Sequence, residues 1–235
     1  MCSHYQAVKE RERYLRQFHV LPPDDGGKED VWPGYLASAI RRAGHSHVAD
    51  DGPASRESFL AQFGLIPHWA TDATGARNTF HARSETVASK PSFRDAYKRG
   101  QRCIIPAEAF FEPDWRSGKA VATRISCADG EPLGIAGLWS AWKTPTGELV
   151  HSFAVLTISA EQHALMKSIR KPTDETRMVV ILPQERYQDW LQVPLEHCAE
   201  FMQPYPAERL SAQAALPPAE LMKTQLKSQR AFLLS

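Results

Sequence analysis

The middle of the chain consists of short apolar runs separated by turn residues, and this pattern predicts closely spaced β-strands. Turn-forming segments at 116–119, 128–130 and 145–147 separate several of the runs. A further apolar run at 63–67 predicts a buried strand that ends at Pro67, and residues 178–182 form another β-rich run. The strands predicted in the central region span 102–105, 109–112, 121–125, 133–138 and 153–158.

Helical patterns are few and lie between or outside the strands. Apolar positions among charges predict an amphipathic helix within 8–18, and Pro91 at a first turn favours a helix over 91–98. Segments 161–169 and 184–191 are also helical in pattern. Strands and helices do not alternate as βαβ units, so we predict an α+β fold with a barrel-like, strongly twisted sheet and a few peripheral helices. We expect a single β-rich domain over 1–235, with a core over about 1–200 and a polar, helix-prone tail at 205–235.

The composition is that of a globular protein, with 43% hydrophobic and 23% charged residues in 235 positions. No apolar run approaches the roughly 18–20 residues of a membrane span, and no secretory signal opens the chain, so we expect a cytoplasmic protein with no membrane partner. The four cysteines form no C-x-x-C pair, which argues against a zinc site or a disulfide framework. Because the net charge is only +1, any polyanion must be bound by a local basic patch.

Cys2, directly behind the initiator Met1, is the most distinctive candidate for chemistry. Once Met1 is removed, Cys2 carries a free amine and a thiol on adjacent carbons. This pair can condense with an aldehyde and close a five-membered thiazolidine ring. An α-amine titrates near ~7.7–8.0 and a thiol near ~8.5, so both have a nucleophilic fraction at neutral pH. The position alone is also typical of a frayed terminal residue.

Three further polar features adjoin apolar runs. Residues 81–86 read H-A-R-S-E-T, and residues 168–172 read S-I-R-K-P after a predicted helix. The third is Glu112, which follows Phe110 and Phe111 directly. A carboxylate among aromatic residues is a candidate for a raised pKa and acid–base work, although a strand-end glutamate that faces water gives the same pattern.

Taken together, these runs resemble the SOS-response-associated peptidase (SRAP) family, whose members crosslink to abasic sites in single-stranded DNA. The family's M-C-G-R appears as M-C-S-H at 1–4, and its W-G-L-I-P-x-W as F-G-L-I-P-H-W at 63–69. Its N-A-R-S-E-T-V appears as H-A-R-S-E-T-V at 81–87, and its R-C-L-I-P-A-x-G-F-Y-E-W as R-C-I-I-P-A-E-A-F-F-E-P at 102–113. Further matches are A-G-L-W at 136–139 and R-M-V-V-I-L at 177–182. Each motif alone is weak, but their ordered combination is specific.

The resemblance implies a four-part site. Cys2 is its covalent nucleophile and Glu112 its proton-transferring carboxylate. His81 replaces the family's Asn, which orients the N-terminus and the sugar, and Arg170 replaces a His that assists opening of the sugar ring. Arg cannot act as a general base near neutral pH but can hold a phosphate or the sugar oxygen, whereas His81 can donate a proton. We therefore expect a slower or pH-shifted crosslinker.

Asn78 and His163 are alternative stand-ins for the two replaced residues, since helical spacing places His163 and Arg170 on one face. Contacts to DNA are predicted for a second group of residues. They are Arg83, Trp69, His4, Pro33 and Thr157. For two of these a structural role is an open alternative: Trp69 as a core residue and Arg83 as a member of an ion pair.

The function implied by the resemblance is that of an abasic-site sensor. It crosslinks to single-stranded DNA through Cys2 after Met1 is removed, shields the lesion in the DNA damage response, and has a peptidase-like activity on its own N-terminus. No metal or organic cofactor is expected, and we expect a monomer. Two other interpretations stay open: a non-catalytic single-stranded DNA binder with a degenerate site, and an N-terminal thiol hydrolase that acts on peptides or amides.

Overall fold

The computed structural model describes residues 4–44, 56–171 and 173–215. Within these ranges the chain forms one twelve-stranded sheet, four α-helices and several 3-10 turns. The strands are β1 (Tyr5–Ala7), β2 (Asp30–Val31), β3 (Leu36–Arg42), β4 (Arg56–Phe63), β5 (His81–Arg83), β6 (Arg102–Asp114), β7 (Val121–Cys127), β8 (Leu133–Lys143), β9 (Leu149–Ser159), β10 (Arg177–Val179), β11 (Ile181–Leu182) and β12 (Leu210–Ala214). The helices are α1 (Arg11–Phe18), α2 (Pro91–Lys98), α3 (Ala164–Ile169) and α4 (Tyr187–Gln192).

Five of the strands close into a barrel. In the ring β8–β9–β4–β3–β6, the last strand pairs again with β8. Closure leaves the ring without free edges and buries the inward side chains, among them Ile40, Phe63 and Phe153. The predicted α+β, barrel-like architecture is confirmed.

Strand β6 continues beyond the barrel and carries Glu112 near its end. Its first half pairs with β8, from Arg102↔Leu138 to Ala107↔Leu133, and its second half pairs with β7. The same second half also pairs with β1 through Tyr5↔Phe110. The beginning of the described chain therefore lies against the part of β6 that leads into Glu112.

The helices follow the sequence signals closely. Helix α2 begins at Pro91 as predicted. Helix α1 occupies the last eight residues of the predicted 8–18 segment, because Glu10 caps it by accepting from the backbone N–H groups of Glu12 and Arg13. Helix α4 docks on β6, where the Trp190 indole donates to the Cys103 carbonyl at 2.9 Å. Cys103 is buried, as its apolar surroundings predicted.

The strand prediction needs three corrections. The strands predicted at 102–105 and 109–112 are one continuous strand, β6. The run 63–67 is not a strand: β4 ends at Phe63, where Gly64 adopts a φ of +118°. A side chain at Gly64 would collide with the carbonyl oxygen of Ala76, so only glycine allows the chain to turn there. Strands β1 to β5 were not predicted.

The C-terminal tail departs from the predicted helix. Residues Leu210–Ala214 form β12, which pairs antiparallel with β7 through Leu210↔Cys127 and Ala214↔Thr123. The prediction of helix is therefore wrong for this segment. Residues 216–235 lie outside the described part of the chain.

Candidate functional site

Glu112 is a buried carboxylate at the outer end of β6. It is 4% exposed and pairs in register with Thr123 of β7. Its Oε2 lies 3.6 Å from Nη1 of Arg170, at an ion-pair distance rather than a hydrogen-bond distance. The alternative of a strand-end glutamate that faces water is therefore wrong. The charge of Arg170 therefore lies next to a carboxylate that is shielded from solvent.

Arg170 approaches Glu112 from the end of α3. It is the C-terminal cap of that helix, in an extended conformation, and its Nη2 is 4.0 Å from the Asp174 carboxylate. Its Nε is buried, and no group in the described residues accepts a hydrogen bond from it. The structure thus brings together two of the four predicted site residues, Glu112 and Arg170, from positions 58 residues apart in the sequence.

His4 brings the N-terminal segment to the same strand. Its carbonyl oxygen accepts from the backbone N–H of Phe111 at 3.0 Å, directly before Glu112. Its ring is stacked between Phe111 and Trp32, and its Nε2 donates to the Asp30 carboxylate at 3.0 Å. Cys2, two residues earlier, lies outside the described residues.

His81 and Arg83 lie on β5, which runs parallel to β9. The register is His81↔Val155 and Arg83↔Thr157. The half-buried His81 ring contacts that of Phe80 at a centroid distance of 4.4 Å, and Phe80 in turn meets the barrel residue Phe63 edge-on. The packing of Phe80 against the barrel therefore holds the backbone of the adjacent His81 in place.

Arg177 organises a charged network beside β5 that the sequence analysis did not single out. Its guanidinium donates to both carboxylate oxygens of Glu85, at 3.2 and 2.9 Å, and to Glu175 at 2.7 Å. It also donates to the carbonyl of Thr157 at 3.0 Å. Glu175 forms a second ion pair with Arg83 at 3.0 Å. The only sequence signal was the arginine at the start of the R-M-V-V-I-L run, and nothing local pointed to Glu175.

The network shifts the titration of its carboxylates. Partial burial is the largest single influence and alone would raise the pKa of Glu85, but the hydrogen bonds from Arg177 and from its own backbone N–H, together with the charges of Arg177 and Arg83, lower the pKa below its usual value. The pKa of Glu175 is lowered chiefly by its hydrogen bond from Arg177, with smaller help from the charge of Arg83. Both carboxylates are therefore held as anions.

The predicted DNA contacts differ in exposure. Trp69 is 51% exposed beyond the turn at Pro67, so the alternative of a core residue is wrong. Arg83 is about half exposed, although it is engaged by Glu175. Pro33 lies in an exposed turn that is closed by a hydrogen bond from Tyr35 N to Trp32 O. Thr157 is almost completely buried and supports Arg177 through its carbonyl and hydroxyl oxygens.

Asn78 and His163, the two alternative stand-ins for the replaced site residues, lie outside the Glu112–Arg170 pair. His163 is the N-cap of α3, and its Nδ1 accepts from Met166 N while its Nε2 donates to the Tyr205 carbonyl at 2.8 Å. Both ring nitrogens are thus engaged in structural hydrogen bonds. His163 and Arg170 flank the two ends of α3 rather than sharing one of its faces. Asn78 is exposed at the end of a 3-10 turn, three residues before His81.

Comparison with known proteins now decides the family. The model of the family described as "SOS response associated peptidase (SRAP)" matches residues 1–216 of the chain. The chain belongs to the SRAP family. Among its SRAP relatives are two proteins of Bacillus subtilis (strain 168), named abasic site processing protein YoqW and abasic site processing protein YobE. YoqW is 29% identical over 219 residues, covering 90% of this chain and 91% of that protein. YobE is 30% identical over 220 residues, covering 90% and 93%.

A solved structure supports the SRAP fold. A protein from Bordetella bronchiseptica, known from an X-ray crystal structure, is 42% identical and superimposes with a TM-score of 0.82. The match covers 92% of this chain and 100% of that chain. The SRAP barrel and its added strands are therefore shared with an experimentally determined structure.

Two further observations concern the described residues alone. None of the helices there is long and apolar enough to cross a membrane. Residues 4–44, 56–171 and 173–215 also contain no group of three or more His, Cys, Asp or Glu side chains that could hold a metal ion.

Proposed function

We propose that this protein processes abasic sites in single-stranded DNA by forming a covalent crosslink through Cys2. Membership of the SRAP family and the names of the Bacillus relatives support the action on abasic sites. The observation that carries the crosslinking proposal is the pairing of β1 with the end of β6, next to Glu112.

Chain connectivity limits how far Cys2 can lie from Glu112. The His4 carbonyl is hydrogen-bonded to Phe111, and Cys2 precedes His4 by two residues. Two residues of fully extended chain span at most about 7 Å. The amine and thiol of Cys2 are therefore tethered within a short reach of the strand that carries the buried carboxylate.

The proposed reaction begins after removal of Met1. The Cys2 amine adds to the aldehyde carbon of the ring-opened abasic sugar, and loss of water leaves a Schiff base. The thiolate then adds to the same carbon, and a proton returns to the nitrogen to give a thiazolidine. Glu112 accepts and returns the protons in these steps, and His81 supplies the proton that the family's missing histidine would give.

Arg170 and the exposed side chains bind the DNA in this proposal. Arg170 lies beside the Glu112 carboxylate and supplies hydrogen-bond donors to a phosphate or the sugar oxygen. Arg83 exchanges its Glu175 partner for a phosphate, and Trp69 stacks on a base or sugar beside the lesion. His4 and Pro33 border the path of the strand, and Thr157 acts through Arg177.

Incubation with a single-stranded oligonucleotide that contains one abasic site, followed by denaturing electrophoresis, tests the proposal. Intact mass spectrometry first confirms that Cys2 is the N-terminal residue. We expect a covalent band whose mass equals protein plus oligonucleotide minus one water, and its loss in Cys2→Ala. Glu112→Gln should reduce the rate at which the covalent adduct forms by about 10²- to 10⁴-fold, as expected for a positioned proton-transfer group. His81→Ala changes the pH profile of adduct formation between about pH 5 and 8, the range in which imidazole titrates.

A specific observation also supports a second function, that of a non-catalytic single-stranded DNA binder. The titratable histidine of the family is replaced by Arg170, whose fixed charge is engaged with Glu112. Salt-sensitive binding without any covalent band, from protein with a verified N-terminal Cys2, would favour this binder and reject the crosslinking enzyme.

A further inference from the structure

Three aromatic rings form a continuous column that starts next to Glu112 and ends in solvent. The inner ring is Phe111, followed by His4 at a centroid distance of 4.2 Å and an interplanar angle of 10°. Trp32 lies on the other side of His4, at 4.3 Å and 7°. The rings are thus nearly parallel and in stacking contact. Trp32 is 44% exposed, whereas its neighbour Val31 is completely buried.

The column is held rigidly from two sides. Val31 and Asp30 pair with Tyr5 and Gln6 through β2 and β1, which fixes the backbone directly after His4 and directly before Trp32. The turn after Trp32 is closed by hydrogen bonds from Tyr35 N to Trp32 O at 2.9 Å and from Gly34 N to Phe63 O at 2.7 Å. The indole therefore loses little further freedom when another ring is placed on it, which favours binding.

The charge around the column selects the kind of ligand. The Asp30 carboxylate is largely exposed and hydrogen-bonded to His4 beside the stack. A negative charge there disfavours the approach of a phosphate. A nucleobase has no net charge and presents a flat face to an aromatic ring, so a base is accepted where a phosphate is not. Stacking of this kind does not depend on sequence, because every base has a π-face.

We propose that Trp32 is a stacking subsite for the nucleobase that flanks the abasic position. This inference rests on the proposed function, because it places the lesion at Glu112. At an abasic position the adjacent base has lost its stacking neighbour, and the Trp32–His4–Phe111 column supplies a replacement in line with the strand. The same contact positions the open sugar near the N-terminal segment, since His4 belongs to both.

A binding experiment with an unreactive abasic analogue tests this subsite. Oligonucleotides carry a tetrahydrofuran residue, which has no aldehyde, with 2-aminopurine on one side or the other, and their affinity is measured by fluorescence anisotropy. Trp32→Leu should weaken binding by about 5- to 150-fold, the range expected for one base–aromatic stack. Trp32→Phe should retain most of the affinity. Quenching of 2-aminopurine on one flank of the analogue should be lost in Trp32→Leu.

The matched control is Tyr35→Leu, which removes an aromatic ring of similar exposure from the same turn but outside the column. A second control replaces the nucleotides on both flanks by tetrahydrofuran, so that no base can stack on Trp32. The wild type and Trp32→Leu should then bind this oligonucleotide with equal affinity. A loss of affinity in Trp32→Leu that persists on this oligonucleotide, or that Tyr35→Leu reproduces, would overturn the subsite in favour of a structural role. If the wild-type protein crosslinks through Cys2 while Trp32→Leu binds all oligonucleotides normally, only this inference fails. If the wild type binds neither abasic nor analogue strands, the proposed function fails as well.

Discussion

At the scale of single residues, the proposed chemistry depends on the Glu112–Arg170 pair. A histidine at position 170 would exchange protons near neutral pH, whereas an arginine contributes a charge that does not change. Glu112 is buried and Arg170 is mostly buried, so their attraction is screened less than that of a surface pair. In the proposed reaction Glu112 is therefore the proton-transferring member of this pair, because Arg170 does not titrate near neutral pH.

Removal of the charge at position 170 should destabilise the protein. Arg170→Met takes away the guanidinium that faces the buried Glu112 carboxylate, and we expect the free energy of unfolding to fall by roughly 3 kcal/mol. In the double variant Arg170→Met, Glu112→Gln the loss should be smaller than the sum of the single losses, since no buried charge is left unpaired. Urea unfolding of the four proteins measures this coupling.

The exposed pair of Arg186 and Asp189 provides the comparison. Asp189→Asn breaks this ion pair but leaves Arg186 over the Phe201 ring, and it should change the free energy of unfolding by less than about 1 kcal/mol, as is usual for surface ion pairs. Equal stabilities for Arg170→Met and the wild type would show that the buried pair contributes nothing to folding.

At the scale of secondary structure, local pattern predicted the elements whose signals are local. Helix α2 begins with a proline, which favours a helix start. The long strands β6, β8 and β9 contain sustained β-rich runs. Strand β3 escaped notice because its buried positions are occupied largely by Ala37, Ser38 and Ala39, which have little β-strand preference. Helical preference in the tail was overridden by pairing with β7, a contact between distant segments.

The same distinction applies to the candidate site. Glu112 was identifiable from its aromatic neighbours, and His81 and Arg170 from their motifs. The ion pair between Glu112 and Arg170 joins residues 58 positions apart, and the hydrogen bonds from Arg177 to Glu85 join residues 92 positions apart. No local pattern could reveal either contact. The role of Trp32 also depends on tertiary structure, because only the pairing of β1 with β2 places His4 beneath its ring.

The network between β5 and β10 should make stability dependent on acid pH. Because the pKa values of Glu85 and Glu175 are lowered in the folded state, both stabilise the protein at pH values above the ordinary value of about 4.5. This stabilisation is lost as the pH falls below that value and the carboxylates become protonated. Glu85→Gln and Glu175→Gln should therefore reduce the drop in Tm between about pH 5 and pH 3.

Glu148→Gln is the control for this titration, because Glu148 is exposed in the turn before β9, away from the network. Thermal unfolding by circular dichroism across the pH series measures all four proteins. The network assignment is rejected if the three variants and the wild type lose Tm in parallel.

At the scale of the whole molecule, the charge distribution predicts that the proposed DNA binding depends on local contacts. The net charge is only +1, so the overall field gives little attraction to DNA at a distance. Arg83 and Arg177 are balanced by Glu85 and Glu175 within the network, which leaves that region close to neutral. In the proposed mode of binding, a phosphate is therefore attracted mainly by displacing Glu175 from the exposed Arg83. Stacking on Trp69 and Trp32 would then supply affinity that salt does not weaken.

This balance predicts a shallow salt dependence with a specific contribution from Arg83. Each phosphate contact to single-stranded DNA changes the slope of log K against log salt concentration by about 0.7. Arg83→Gln should weaken binding of the tetrahydrofuran oligonucleotide and make the slope shallower by about that amount. Arg186→Gln, which removes an exposed arginine that is also paired with a carboxylate but lies on the 3-10 turn before α4, should leave the slope unchanged. Anisotropy titrations at several salt concentrations measure both slopes. Identical slopes for Arg83→Gln and the wild type would mean that Arg83 remains with Glu175 when DNA binds, and that another cation holds the phosphate.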